Sequence, residues 1–337
     1  MTAICAKDIA GMNTTPRLQA KVDLLRRAAS QRSPAPALLF ALAAALIDTR
    51  EKREAADVFR RAYQLQPWAC PLLSVGKNPT SAEIAVLRDQ AETLIGQGVA
   101  YSSVIAALAV AEAHGGHPAT VERLVDYDRF FRAATMAAPD GRDQAAFTSA
   151  LAAEIKTDLE YHDKPAGRAI RHAWRRSITM GSSGPAAKSW FKSVRSEIDA
   201  YIAALPQDRD HPFIGSRPAD YRVGAWAVVS SGDSFHKPHM HPSAWLSGVY
   251  YVVCPEISRV NGSRRGWLKL GPPTKYGVST QQGWRERMIA PEPGTLVLMP
   301  SYFFHGTEPM GVDEERICIA FDVLPAEMAQ NLDADTY

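Results

Sequence analysis

Residues 235–254 read FHKPHMHPSAWLSGVYYVVC, and further along residues 292–309 read EPGTLVLMPSYFFHGTEP. Four of the nine histidines, His236, His239, His241 and His305, fall in these two segments. Residues two apart on an extended chain point to the same face, so His239 and His241 aim both imidazoles at one point while Met240 faces away. A third histidine, His305, arriving from a neighbouring strand closes a facial set of three nitrogen donors. Such a set suits iron, zinc, nickel or copper and leaves coordination positions open. His236, taken alone, reads as an ordinary surface or hydrogen-bonding histidine.

The surroundings of these segments set the fold. Beyond Pro206 the runs YRVGAWAVVS, WLSGVYYVVC, GWLKLG, TLVLMP and RICIAFDVL are short, apolar and separated by Gly, Pro, Ser and Asp. Their regular spacing predicts an all-β sandwich or barrel, whose two packed sheets leave a mouth for a small ligand. Trp226 and Trp245 are candidates to line that mouth, although buried aromatics in such a sandwich usually serve the core.

The first third of the chain is different in kind. From about residue 17 to 120 it is rich in Ala, Leu, Arg and Glu with apolar spacings of three and four, which predicts stacked helices. Within residues 37–67, Leu39, Leu42, Ala43, Leu46, Ala55, Phe59, Ala62 and Pro67 fall at tetratricopeptide-repeat spacings. The small alanines let two antiparallel helices approach while Phe59 fills the gap. Flanking segments 22–34 and 81–96 are helical in pattern and are expected to pack on this pair, because one repeat cannot bury its own apolar face. The helical region serves either as a concave peptide-binding surface or as a supporting cap. Gly115, Gly116 and Pro118 mark a break, so we expect a helical domain over 1–120 and a β domain over 121–337, an α+β chain. After the break, residues 121–136 read as a short helix running into a first strand, and 145–160 and 187–205 as helices. Trp190, Val194, Ile198, Tyr201 and Leu205 form one apolar stripe on the last of these.

Hydrophobic residues at 46% and charged residues at 22% fit a globular protein and argue against disordered, fibrous or membrane classes. A formal charge of +2 is too small to point to nucleic acid. The start, MTAICAKDIAGMNTT, lacks the pattern of a secretory signal, and the apolar run Ala35–Ile47 is short of the roughly 20 residues a spanning helix needs. A cytoplasmic protein with no membrane partner is therefore expected. Cys5, Cys70, Cys254 and Cys318 are scattered, which predicts reduced, mostly buried thiols.

The succession of His-x-His, SGVYYV, EPGTLVLMPSYFFHGTEP and ERICIAFDV resembles the 2-oxoglutarate/Fe(II)-dependent oxygenase superfamily. It is most similar to a bacterial and phage branch with HxHPxxWLSGVYYV and PGxLVLFPSxxxHG segments, some of whose members are fused to tetratricopeptide repeats. The resemblance covers about residues 122–325. It implies a double-stranded β-helix (jelly roll), a ferrous ion held by His239, His241 and His305, and 2-oxoglutarate as cosubstrate. It also implies oxidative decarboxylation to succinate and carbon dioxide, with hydroxylation as the default outcome. Arg316, eleven positions after His305, opens an apolar strand, where its guanidinium can clamp the distal carboxylate of 2-oxoglutarate. Ser247, Val249 and Tyr251 share one strand face. If that face lines the barrel, Ser247 and Tyr251 join the cosubstrate site; a one-residue change of register would present Tyr250 instead.

One departure stands out. Most members of that superfamily bind iron through HxD/E, and here His241 takes the acidic position, with no acidic residue between Asp233 and Glu256. Either His241 is a third ligand or it stands behind the metal and water or substrate fills the place. A three-histidine site carries one more positive charge, favouring a dianionic cosubstrate. Asp322, near the far end of the Arg316 strand, is not expected to reach the metal. The rival readings are a cupin-like metalloenzyme without 2-oxoglutarate, and a non-catalytic binding protein with a decayed oxygenase domain. A cupin would normally add a glutamate soon after the histidine pair, and PSAW offers none. The substrate, whether peptide, protein or small molecule, is open, and a homodimer is allowed.

Overall fold

The computed structural model describes residues 14–157, 170–178 and 184–329. The N-terminal segment read for a signal, Cys5 and the last residues of the helix expected over 145–160 lie outside them. Seven helices come first: α1 (Thr14–Ala29), α2 (Pro36–Asp48), α3 (Lys52–Leu65), α4 (Ser81–Gly96), α5 (Ser102–His114), α6 (Pro118–Leu124) and α7 (Tyr127–Phe130). Then follow β1 (Arg132–Thr135), α8 (Gln144–Thr157), β2 (Ile170–Ile178), α9 (Pro185–Ala204) and α10 (Pro212–Gly215). The remainder is β3 (Tyr221–His236), β4 (Leu246–Val253), β5 (Leu268–Leu270), β6 (Arg287–Ile289), β7 (Thr295–Pro300), β8 (His305–Thr307), β9 (Val312–Pro325) and α11 (Ala326–Ala329).

In the helical layer, Leu39, Leu42, Ala43 and Leu46 of α2 and Ala55, Phe59 and Ala62 of α3 are all buried. Small side chains on the facing positions let the two helices close on each other, and α1 and α4 pack against the pair. α4 is opened by a capping box in which Thr80 and Glu83 satisfy each other's backbone N–H groups. α5 is apolar all round and buried from Ser102 to Ala113 except at Leu108. A helix of that kind belongs inside a protein rather than on its surface. It lies between the other helices and the β region: Ser102 Oγ donates to Ala244 O (2.6 Å), His114 Nε2 to Tyr276 O (2.7 Å), and Gln282 Nε2 to Ala113 O (3.4 Å). The break expected at Gly115–Pro118 is the turn between α5 and α6, and the apolar core runs on across it.

The β region is two antiparallel sheets. The larger has the order β1-β7-β4-β9-β3-β2, the smaller β6-β5-β8. The segment 239–241 extends the smaller sheet beyond β8 through a paired bridge, His239 N–H to His305 O (2.9 Å) and His305 N–H to His239 O (2.8 Å). The chain thus passes from β3 to the bridge, to β4, to β5 and β6, to β7, to β8 and to β9, alternating between sheets. That alternation is a double-stranded β-helix.

Side chains alternate along each strand, and the register fixes which face is which. Ser247 pairs with Asp322, Val249 with Ala320 and Tyr251 with Cys318, while Trp226 and Val228 of β3 stand opposite Ala320 and Cys318. These residues, with Arg316, form the face turned toward the smaller sheet. The opposite face is covered by helices: Trp190 of α9 packs on Phe321 (5.8 Å between centroids) and Tyr250 (6.3 Å), and Gln144 Nε2 of α8 donates to Tyr250 Oη (3.0 Å). Tyr250 is thereby the outward tyrosine and Tyr251 the inward one. No helix among the described residues is long and apolar enough to cross a membrane.

Candidate active site

The histidine pair follows β3 rather than lying within it. Pro238 cannot donate to a ladder, and the chain after it is held extended by the His239–His305 bridge and by His241 N–H donating to Ser301 O (2.9 Å). The two-residue spacing still puts both rings on one side, with Met240 buried on the other. Gly306 makes the approach possible, since a Cβ there would come within 2.7 Å of His236 O.

His239, His241 and His305 each present a ring nitrogen within 4.8 Å of the other two. The identity of that nitrogen follows from what holds the opposite side of each ring. His239 Nδ1 donates to Lys237 O (2.8 Å), His305 Nδ1 to Phe303 O (2.9 Å) and His241 Nδ1 to Asp322 Oδ1 (2.7 Å). Acceptors at all three Nδ1 atoms fix the protons there and turn three unprotonated Nε2 lone pairs inward. His239 and His241 Nε2 are 3.2 Å apart. Two lone pairs facing each other at that distance repel unless a cation sits between them. Nitrogens at right angles on a metal with bonds of ~2.1 Å are about 3 Å apart. Burial, reinforced by the neighbouring His241, pushes His239 down to about 4. Burial likewise holds His305 well below the usual imidazole range. Both rings are therefore neutral and ready to ligate near pH 7. His236 stacks on His239 at 5.9 Å but is not one of the cluster.

Arg316 is 4% exposed. Its guanidinium donates to Gly266 O (3.2 Å) and contacts Cys318 Sγ (4.0 Å), while its Nε has no partner. No carboxylate among the described residues pairs with it. Tyr251, buried and with its own Oη unpartnered, lies beside it, the guanidinium carbon 5.8 Å from the ring centroid. A buried cation without an anion costs several kcal/mol. Here an orphaned N–H and an orphaned hydroxyl stand on one inner face, the donor pattern that a carboxylate satisfies.

Ser247 sits elsewhere than its expected role suggests. Its hydroxyl donates to Asp322 Oδ1 (2.6 Å) and lies 2.7 Å from Ser301 Oγ, so it is committed at the His241 end of the pocket. Trp226 stacks on His241 at 5.9 Å. Trp245 is core: its Nε1 donates to Phe213 O and its ring stacks on Phe213. Asp322, 3% exposed, stays out of the ligand cluster as expected, yet it holds His241 from behind. Only its even spacing from Arg316 on one strand hinted that it faces the same interior. Cys254 and Cys318 are buried and free, Cys70 half-buried and free, and burial lifts the Cys254 thiol to about 12.

Residues 224–322, under a third of the chain, match the model of a family described as "Putative 2OG-Fe(II) oxygenase". Over that segment the chain is similar to Fe(II)- and 2-oxoglutarate-dependent oxygenases. The imidazole cluster fits the metal, and Arg316 with Tyr251 fits a dicarboxylate. A comparison with curated proteins gives no match. Among solved structures, a Pseudomonas putida prolyl-4-hydroxylase is 17% identical, with TM-score 0.41, over 60% of this chain and 96% of its own. A Trichoplax adhaerens prolyl hydroxylase in complex with a hypoxia inducible factor oxygen degradation domain peptide fragment is 15% identical, with TM-score 0.43, over 64% and 94%. HygX from Streptomyces hygroscopicus, with nickel and 2-oxoglutarate bound, is 13% identical, with TM-score 0.38, over 61% and 87%. At TM-scores below 0.5 these likenesses carry no assignment.

Proposed function

We propose that the protein hydroxylates a C–H bond of a peptide, protein or small molecule, with His239, His241 and His305 holding Fe(II) through Nε2. In the same reading Arg316 and the Tyr251 hydroxyl receive the distal carboxylate of 2-oxoglutarate. The observation that carries this reading is the locking of all three rings at Nδ1, which leaves three lone pairs and no proton facing a common point. Iron and 2-oxoglutarate, when bound, supply the oxidation of the C–H bond by oxygen, with succinate and carbon dioxide as coproducts. The chain supplies placement. Lys237 O, Phe303 O and Asp322 orient the rings, Trp226 shields His241 from water, and Arg316 meets a carboxylate in a region where its charge has no other partner. Ser247 acts in this scheme through Asp322 rather than on the cosubstrate. A cupin-like site without 2-oxoglutarate would leave the buried Arg316 without a purpose. We read α2–α3 as a single tetratricopeptide-like pair serving as a cap, because its Tyr63 and the neighbouring α5 grip the loop that carries His241.

The test is anaerobic addition of Fe(II) and then 2-oxoglutarate to the purified full chain, following the visible charge-transfer band of the chelate. Wild type should develop it and His305→Ala should not. Arg316→Ala should require roughly 10- to 100-fold more 2-oxoglutarate, the loss of a charge-assisted hydrogen bond or two. An iron-loaded wild type without the band, or an Arg316→Ala variant that saturates at wild-type concentrations, would reject the assignment.

A further inference from the structure

The acid missing from the His-x-His segment has a counterpart across the pocket. Asp322 lies 81 residues beyond His241 and is buried, with its Oδ1 accepting from His241 Nδ1 (2.7 Å) and from Ser247 Oγ (2.6 Å). No Lys or Arg among the described residues pairs with it. The ring of contacts closes on itself: Ser301 Oγ meets Ser247 Oγ at 2.7 Å, and Ser301 O accepts the His241 N–H at 2.9 Å. Three residues, Ser247 of β4, Ser301 just past β7 and Asp322 of β9, thus fix both the backbone and the ring of His241. The other two rings rest on neutral carbonyls. His241 alone rests on a charge.

We propose that Asp322 is a positioning residue that works with His241 as one anionic unit, the imidazole meeting the metal through Nε2 and the carboxylate supplying the negative charge from behind. The inference rests on the three-histidine site proposed above. A buried carboxylate without a counter-cation is costly. A divalent ion on the far side of the shared imidazole is the cation that would balance it, and the hydrogen bond makes the ring a stronger donor. Counting charges, a divalent ion with three neutral imidazoles carries +2, and Asp322 returns the pocket to +1. That is the value of a site with two histidines and one direct carboxylate, so the extra unit of positive charge expected from the sequence is cancelled one bond further out.

Cobalt(II) titration of the apoprotein, read by visible absorption without cosubstrate, tests this. Asp322→Asn should bind 10- to 100-fold more weakly. In a His241→Ala background the same change should have no further effect, because Asp322 acts through His241. Equal affinity in Asp322→Asn and wild type, or an undiminished effect of Asp322→Asn in the His241→Ala background, overturns the proposal while leaving the metal site intact. Loss of the site itself would show separately, as His239→Ala and His305→Ala binding cobalt like wild type. A measurement that needs no variant guards against misfolding: in the zinc-loaded, histidine-labelled wild type, one of three ligand Nδ1 protons should resonate well downfield of the other two. Three alike would also overturn the proposal.

Discussion

His211, fully buried, accepts from Phe213 N–H through Nδ1 (3.3 Å) and donates to Arg123 O through Nε2 (3.1 Å). Burial pushes it down to about 4, against 6.5 in an unfolded chain. Between those values the unfolded state binds the extra proton, so stability rises with pH. The His211 contribution is fully present above pH 6.5 and is lost as pH falls toward 4, a change on the order of 3 kcal/mol. His239 and His305 act in the same direction in the metal-free protein. Urea unfolding of apoprotein between pH 7.5 and 4.5 should therefore show a steeper loss for wild type than for His211→Gln, by about one proton; equal slopes would contradict this account. At the same scale, His239, His241 and His305 were legible because an extended chain repeats every two residues. The partnership of Asp322 with His241 was not, because nothing local in either segment encodes a contact that only the closed β-helix makes. The choice between Tyr250 and Tyr251 turned on a register that pairing partners decide.

At the level of elements, the packing of β4 against β9 depends on Gly248. A Cβ there would meet Phe321 Cζ at 2.2 Å, and Phe321 is wedged under Trp190 of α9. Gly248→Ala should cost about 1–3 kcal/mol through overpacking, visible as a lowered thermal midpoint with the cobalt affinity little changed; an unaltered midpoint would mean that α9 gives way freely. The strands with apolar alternation, β3, β4, β7 and β9, were evident in the sequence, as was β5. β2 was missed because IRHAWRRSI carries charges where alternation was sought, and β6 because its three residues stand outside any apolar run; β8 was foreseen only as the strand that brings His305. The helix and strand after Gly116 were foreseen, since Pro118 and Asp126 punctuate them.

Over the whole molecule, the helical layer and the β-helix share α5 and a continuous core. Calorimetry of the full chain should accordingly give a single unfolding transition with matching calorimetric and van't Hoff enthalpies; two resolved transitions would show that the halves fold independently. The layers also meet at Tyr63, which stacks on Tyr101 (4.3 Å), accepts from Ser103 Oγ (3.2 Å) and donates to Pro242 O. Tyr63→Phe should lose about 1–2 kcal/mol of stability. The helical nature of the N-terminal third was plain from its composition and spacing, whereas its attachment to the histidine loop was not, since hydrogen bonds to carbonyls leave no mark on residue identity. That same indifference has a practical side. Tyr63 and Ser102 hold the oxygens of Pro242 and Ala244, atoms every amino acid possesses, so the half-buried Ser243 between them can be exchanged without untying either knot. The rim beside His241 is thus open to redesign, by nature or in a library, while its moorings stay put.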